Sequence, residues 1–292
     1  MNTSGKTPSN SAFKPPSTCL PYNSYTLSSD KTFAYRLNIR FPWLKLGVVL
    51  IIGAIMILDL LDLTISTSGD PFCKIRIAPM SHHVHATERD LNNKKLVALT
   101  FDDGPSATTT PEILKILTEK DARATFFVLG SKARNNSDIV KQAEKNGHDI
   151  ASHTTYHQSL IRVSLSSAQN DINESKDIFQ SILDHQPLYT RPPYGDTDSA
   201  VSAAIGTPII LWSVDTLDWK NKSTDSIVST AMSEVRDGAI ILMHDIYPTT
   251  AEALPILIDT LRNEGYEFAT ISELAEIRGT KLAAGSIYYN FP

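Results

Sequence analysis

The chain has 292 residues, 41% of them hydrophobic and 20% charged, which suits one large globular domain or two ordinary ones with a sizeable core. The net charge of −5, without a basic stripe along the sequence, argues against a nucleic-acid partner. The two cysteines, Cys19 and Cys73, are too few for a disulfide framework or a thiolate metal site of the usual kind.

The N-terminal segment differs in composition from the rest of the chain. Residues 1–40 are rich in Ser, Thr, Pro and Asn and predict a disordered tail. Residues 41–63, FPWLKLGVVLIIGAIMILDLLDL, predict a single transmembrane helix if Lys45 and the two aspartates lie near its ends. The uninterrupted apolar core, residues 46–58, also has the length of a buried helix or a signal-peptide core.

The charges around this span predict its orientation. Basic residues outnumber acidic ones before it, so we expect a cytoplasmic N-terminus and a C-terminal domain outside the cell membrane. The residues after the span offer a poor cleavage site, which favours an uncleaved signal anchor of a single-pass protein. Residues 64–95 predict a linker. Its histidines, His82, His83 and His85, are metal-type ligands on an unpatterned segment that does not preorganise them.

From residue 96 onward, apolar runs of strand length alternate with amphipathic segments that carry helix caps. The predicted strands are 96–101, 124–129, 148–152, 187–190, 208–214, 239–244 and 266–270, and the predicted helices are 110–122, 137–147, 165–183, 199–205, 225–235, 250–263 and 271–277. This alternation predicts an α/β fold with a parallel sheet. We expect a distorted (β/α) barrel of about seven strands over residues 96–277, with an open doubly wound sheet as the alternative and residues 278–292 as a C-terminal tail.

Polar residues of catalytic type follow the predicted strands, at the edge where α/β folds build their sites. The residues at these strand ends are Asp102, Asp103, His153, His157, Arg191, Asp215, Asp218 and His244. His153 and His157 are four residues apart, close enough to share a metal ion. Together with one aspartate they predict a site for zinc or a similar divalent ion, which leaves the second aspartate free to act as a base.

Five ordered motifs carry a family resemblance: TFDDGP, HTTYH, RPPYG, DTLDW and LMH. They resemble the motifs of the polysaccharide deacetylases, the NodB-homology domain of carbohydrate esterase family 4, over residues 96–277, and none departs from the family pattern. The resemblance implies the roles that follow. Asp102 is the general base, held by Arg191, and Asp103, His153 and His157 bind the metal, most simply Zn²⁺, with Co²⁺ as a substitute. His244 is the general acid, and Asp218 adjusts its pKa. The Tyr194 amide helps bind the oxyanion. Trp219 forms a wall of the substrate-binding groove, and Leu242 lines the pocket for the acetyl methyl group.

The resemblance implies an enzyme that hydrolyses N-acetyl groups of an N-acetylglucosamine-containing polysaccharide. Combined with an external domain on a membrane span, it favours peptidoglycan as the substrate. Chitin or chitooligosaccharides, poly-N-acetylglucosamine and acetylated xylan are alternatives, since the motifs describe the acetyl chemistry and not the polymer. A carbohydrate-binding protein on an inactive scaffold would lack at least one motif residue, and a small-molecule amidase would not need the anchor.

Overall fold

The computed structural model describes residues 91–292. The predicted tail and membrane span, and most of the predicted linker with its histidine cluster, lie outside the described residues. Within 91–292, no helix combines the length and apolar character needed to cross a membrane.

Strands and helices alternate along the described chain. The strands are β1 (Lys95–Asp102), β2 (Ala124–Val128), β3 (Asp149–Ser152), β4 (Ile209–Ile210), β5 (Val214–Asp215), β6 (Ala239–His244), β7 (Tyr266–Phe268) and β8 (Ile287–Tyr288). The helices are α1 (Thr109–Glu119), α2 (Gly130–Asn135), α3 (Ser137–Lys145), α4 (Leu165–Leu183), α5 (Ser199–Ile205), α6 (Asp218–Asn221), α7 (Thr224–Glu234), α8 (Pro248–Asn263) and α9 (Ile271–Ile277).

Strand β1 is the centre of the sheet. The order is β3-β2-β1-β6-β5, with β7 paired to the start of β1, and every one of these pairings is parallel. Strands β4 and β8 form a second parallel pair. The prediction of an α/β fold with a parallel sheet is confirmed.

Single-residue bridges at Thr190 link the two sets of strands. Thr190 is bridged to Ser152 at the end of β3 and to Ile209 of β4. Closure of this path into a distorted barrel of about seven strands stays a prediction.

The strands are buried on both faces, as expected where helices cover a parallel sheet. Side chains alternate along β1, so Val97, Leu99 and Phe101 join the large core that includes the helices α1 and α8. The opposite set, Leu96 and Ala98, joins a smaller inner cluster with residues of β2, β3 and β6. The inner face of the sheet carries the polar residues that end the strands.

The predicted strand 208–214 is divided into β4 and β5 because its residues change partners. The Leu211 amide donates to the Tyr288 carbonyl, whereas the Ser213 amide donates to the Ile240 carbonyl of β6. The side chain of Arg191 occupies the carbonyls of Ile210 and Leu211. These two carbonyls accept hydrogen bonds from the guanidinium of Arg191 instead of from a neighbouring strand.

Residues 278–292, predicted as a tail, pack on the domain. They contain β8, and Phe291 is buried in the inner cluster. The Phe291 amide donates to the Gly238 carbonyl, just before β6. A two-residue strand carries too little periodicity to be recognised in the sequence. The short helices α2 and α6 were not predicted for the same reason.

Candidate active site

The predicted site residues meet at the carboxyl end of the parallel strands. Because side chains alternate along a strand, Asp102 shares the inner face of β1 with Thr100, and His244 shares that of β6 with Leu242. The register places Asp102 directly opposite His244. Sheet geometry therefore brings a carboxylate and an imidazole from distant parts of the chain to one edge.

Three predicted metal ligands lie together. Asp103, His153 and His157 place one donor atom each within 4.8 Å of the others. Oδ1 of Asp103 is 3.4 Å from Nε2 of His153 and 3.1 Å from Nε2 of His157. One carboxylate and two imidazoles suit zinc or a similar divalent ion and leave coordination positions for water and substrate.

The backbone aims these ligands at one point. Asp103 and His157 both have positive φ, 73° and 58°, in the left-handed region that Asp and His tolerate better than most residues. Nδ1 of His153 lies 2.7 Å from the carbonyl oxygen of Arg191. Because a carbonyl can only accept, Nδ1 carries the proton and the Nε2 lone pair faces Asp103. This tautomer is the one required of a metal ligand.

The donor set also fits a cation electrostatically. Oδ1 of Asp103 is buried and, among residues 91–292, has no hydrogen-bond partner of good geometry. Burial acts to raise the pKa of Asp103, but the adjacent His153 and His157 outweigh it and hold the pKa well below its ordinary value. A buried, ionised oxygen facing two ring nitrogens would be satisfied by a cation shared among the three groups.

The second aspartate is held by a buried arginine. Nη1 of Arg191 is 2.6 Å from Oδ1 of Asp102, and both side chains are buried. The guanidinium also donates to Thr100 Oγ1 at 2.9 Å, to the Ile210 carbonyl at 3.0 Å and to the Leu211 carbonyl at 2.9 Å. Burial acts to lower the pKa of Arg191, and the Asp102 charge opposes this. Asp102 is thus an ion-paired carboxylate, distinct in its contacts from Asp103.

His244 forms a pair with Asp218. Nδ1 of His244 is 2.7 Å from Oδ1 of Asp218, while Oδ2 accepts from the His244 amide and the Thr250 hydroxyl, each at 2.7 Å. Burial acts to lower the pKa of His244, but the hydrogen bond and charge of Asp218, with the charges of Asp102 and Asp103, raise it to about 9. Nε2 of this imidazole is therefore a proton donor at neutral pH.

The three predicted substrate-contact residues occupy different settings. Tyr194 has a positive φ of 63°, a ring centroid 4.8 Å from that of His157, and a side chain that is 64% exposed. Trp219 is 47% exposed on α6, directly after Asp218. Leu242 is buried in β6. Their roles toward a substrate stay predictions.

Asp171 of α4 holds residues 153–157, the segment that carries the two candidate histidine ligands. Asp171 was not identified as a site residue in the sequence. Its Oδ1 accepts from the Thr155 amide at 2.5 Å, and its carbonyl accepts from the Thr155 hydroxyl at 2.8 Å. One helical turn on, Ser175 bonds Ser152 Oγ, which accepts from the Thr154 amide. The spacing of Asp171 and Ser175 on one helix face was the available signal, but within a polar helix it resembles a solvated surface.

Asp245 was also not predicted as a site residue, because an aspartate directly after a strand is typical of a turn. It is buried, its Oδ2 accepts from Thr110 at 2.5 Å, and its amide donates to the Asp102 carbonyl. Burial raises the pKa of Asp245 to about 7. A Cβ on Gly104 would lie 2.0 Å from Oδ2, so a larger residue after the two aspartates would force the Asp245 carboxylate to move. Of the other strand-end residues, Asp215 accepts from the Leu217 amide and forms a turn.

A trio of candidate metal ligands, an ion-paired carboxylate and an imidazole with a raised pKa at one edge of an α/β sheet form an arrangement suited to metal-assisted hydrolysis. The Polysaccharide deacetylase family model matches residues 89–207. The chain belongs to this family, the NodB-homology domain of carbohydrate esterase family 4.

The names of similar proteins give different substrates. The peptidoglycan-N-acetylglucosamine deacetylase PgdA of Listeria monocytogenes is 40% identical over 74% of this chain and 45% of its own length. A peptidoglycan-N-acetylglucosamine deacetylase of Bacillus cereus is 38% identical over 63% of this chain and 89% of its own. A family 4 acetyl xylan esterase of Clostridium thermocellum, solved with a cobalt ion, superposes with a TM-score of 0.65, 30% identity, and coverage of 68% of this chain and 100% of its own. The chain thus spans less than half the length of the Listeria relative.

Proposed function

We propose that this chain hydrolyses N-acetyl groups of an N-acetylglucosamine-containing polysaccharide, with peptidoglycan as the first substrate. One observation carries the proposal: Asp102 and His244 are register partners at the strand ends, and the Asp103 carboxylate that completes the metal trio is the next residue in the chain. Hydrolysis of an amide needs an activated water and an acid for the leaving amine, and this site provides groups for both.

Asp103, His153 and His157 would hold the metal. A divalent ion bound there, Zn²⁺ or Co²⁺, supplies a Lewis acid that polarises the acetyl carbonyl and lowers the pKa of a water molecule. The His153 hydrogen bond to the Arg191 carbonyl keeps the ligand tautomer fixed, which favours binding before substrate arrives.

Asp102 accepts the proton of the attacking water at its carboxylate. Arg191 pairs with that carboxylate and holds it in one orientation, through a bond of 2.6 Å.

His244 donates a proton to the leaving amine. Asp218 holds Nδ1, so the proton that faces the site is on Nε2. The pKa of about 9 keeps the imidazole protonated until the amine departs. The proton that Asp102 receives equals the one that His244 gives, so hydrolysis yields acetic acid and a free amine, which exchange a proton at neutral pH to give acetate and an ammonium group.

We also propose that residues 41–63 anchor the chain in the cell membrane with the domain outside. The apolar run and the excess of basic residues before it support this topology. A peptidoglycan substrate next to the membrane agrees with such an anchor.

We further infer that the strands form a distorted (β/α) barrel of about seven strands. The parallel bridges from Thr190 to Ser152 and to Ile209 support this closure.

The test measures acetate release and bound zinc together. The zinc-loaded chain is assayed on peptidoglycan, chitooligosaccharides, poly-N-acetylglucosamine and acetylated xylan, as wild type and as the variants Asp102→Asn and Asp103→Asn. We expect Asp102→Asn to keep zinc and lose about 10²–10⁴-fold in rate, as for loss of a general base. Asp103→Asn should lose zinc, because a neutral amide replaces an anionic ligand.

The exposed Asp225 of α7 provides the matched control, and Asp225→Asn should change neither zinc content nor rate. Retention of zinc by Asp103→Asn with loss of zinc from Asp102→Asn would reverse the two roles. Absence of acetate release from every polymer by the wild type would refute the proposed function.

A further inference from the structure

A cleft of about 620 Å³ lies beside the metal ligand His157. Its other lining residues are Gln158, Ser159, Arg162, Val163, Tyr194 and Asp196. We propose that this cleft is a subsite for a carboxylate carried by the substrate unit next to the sugar that is deacetylated, and that Arg162 recognises it. This inference rests on the proposed function and narrows its substrate class to an anionic glycan.

The segment after His157 is fixed in place, so the position of Arg162 is defined by the fold. Leu160 is buried in a small core beneath the cleft. The Arg162 amide donates to the Ser159 carbonyl at 3.1 Å, which closes a tight turn. The Ser159 hydroxyl donates to Asp196 at 3.1 Å across the cleft.

Arg162 is the one Lys or Arg among the residues that line the cleft. Its side chain is exposed, and within residues 91–292 its guanidinium has no ion-pair or hydrogen-bond partner. The carboxylate of Asp196, by contrast, already accepts a hydrogen bond from Ser159. The cleft therefore contains a guanidinium whose N–H donors have no partner among the described residues, on the same loop as His157.

A guanidinium fork matches a carboxylate, with which it forms two parallel charged hydrogen bonds. Tyr194 adds an exposed aromatic ring at the boundary between the cleft and His157, suitable for the apolar face of a sugar. Chitin and poly-N-acetylglucosamine carry no carboxylate. The glycan of peptidoglycan carries one either on the lactyl ether of alternate sugars or, where that group is amidated, on the attached peptide.

Three probes separate these sources: a neutral N-acetylglucosamine tetramer, an alternating N-acetylglucosamine–N-acetylmuramic acid tetrasaccharide without peptides, and the same tetrasaccharide with its peptides. Dissociation constants are measured on the metal-free full-length chain, which prevents turnover. The variants are Arg162→Gln and Arg162→Lys. Arg236→Gln is the matched control, because Arg236 is exposed just before β6, at the opposite end of that strand from His244.

We expect wild type to bind at least one carboxylated probe about 5- to 20-fold more tightly than the neutral one at low salt, between the range for exposed ion pairs and that for charged hydrogen bonds. Arg162→Gln should remove this preference, Arg162→Lys should keep part of it, and Arg236→Gln should keep all of it. Preference for the peptide-free probe assigns the lactyl carboxylate, and preference for the peptide-bearing probe assigns the peptide.

Equal binding of all three probes by wild type, or an unchanged preference in Arg162→Gln, would overturn the inference. Acetate release by the zinc-loaded wild type from the same probes is measured separately. If no probe is deacetylated, the proposed function fails, while the binding ratio still decides whether Arg162 recognises a carboxylate.

Discussion

Replacing Asp171 by asparagine tests how α4 supports the metal ligands. Thr155 lies between His153 and His157; its amide donates to the Asp171 carboxylate, and its hydroxyl donates to the Asp171 backbone carbonyl, which the substitution leaves in place. The asparagine side chain would keep an acceptor oxygen of nearly the same shape but lose the negative charge. The fold should persist, while the backbone between the two imidazoles becomes less constrained.

The size of the effect follows from these contacts. A hydrogen bond to a charged group is worth about 1.5–3 kcal/mol, and we take roughly half of this to be lost when the charge alone is removed. About 0.75–1.5 kcal/mol corresponds to roughly 4- to 13-fold in an equilibrium constant. We therefore expect zinc affinity to fall about 4- to 13-fold, around the lower end of the roughly 10–100-fold range for residues behind metal ligands.

The assay is competition for zinc between the metal-free chain and a chelating dye, with thermal unfolding measured on the same samples. Asp149→Asn is the control, since the carboxylate of Asp149 at the start of β3 is likewise buried and accepts from a backbone amide, that of Ser272, with the Tyr189 hydroxyl as its second donor. Both variants should lose stability, and only Asp171→Asn should lose zinc affinity. Equal zinc affinity in Asp171→Asn and wild type would refute the reasoning.

Asp218→Asn removes the partner that raises the pKa of His244, so the imidazole loses its proton at lower pH. The alkaline limb of the pH profile of kcat/KM should therefore move to lower pH, and a limb that does not move would exclude His244 as the acid. Chelation should abolish acetate release, and zinc or cobalt should restore it, whereas full activity in a sample shown to be metal-free by elemental analysis would contradict a metal mechanism. A reporter fused after Pro292 should be active outside the cytoplasm and stay in the membrane fraction, and release of a shortened chain to the medium would disprove the anchor. Gly104→Ala should lower the free energy of unfolding by about 1–3 kcal/mol in a denaturant titration, because its Cβ overlaps the carboxylate of Asp245, and unchanged stability would show that Asp245 moves freely.

The central strands and the strand-end residues could be predicted because each leaves a local signal. An apolar run marks β1 or β6, and the polar residue that ends it lies at the site edge of any parallel sheet. The alternation of side chains places Asp102 on the face of Thr100 and His244 on the face of Leu242, but that these are the same face of the sheet follows from the register of β1 with β6.

The supporting contacts could not be predicted, because they join residues that are distant in sequence. The bond of Arg191 to Asp102 spans 89 positions, and the Asp245 bond to Thr110 spans 135. The division of the fifth predicted strand also depends on Arg191, which binds carbonyls that a sequence pattern does not distinguish from ladder groups. Such partners become visible only when the strands have been assembled.

Arg191 makes the charge environment of Asp102 depend on a distant part of the chain. Its guanidinium joins β1, through Asp102 and Thr100, to the carbonyls at the end of β4. A chain that has formed its central strands but has not docked this arginine holds a carboxylate without its counter-ion, a defect that costs about 3–5 kcal/mol when buried. The charge environment of Asp102 therefore depends on residues 191–211 as well as on β1, and a change that separates the two should leave the carboxylate without its counter-ion even where the strand itself is intact.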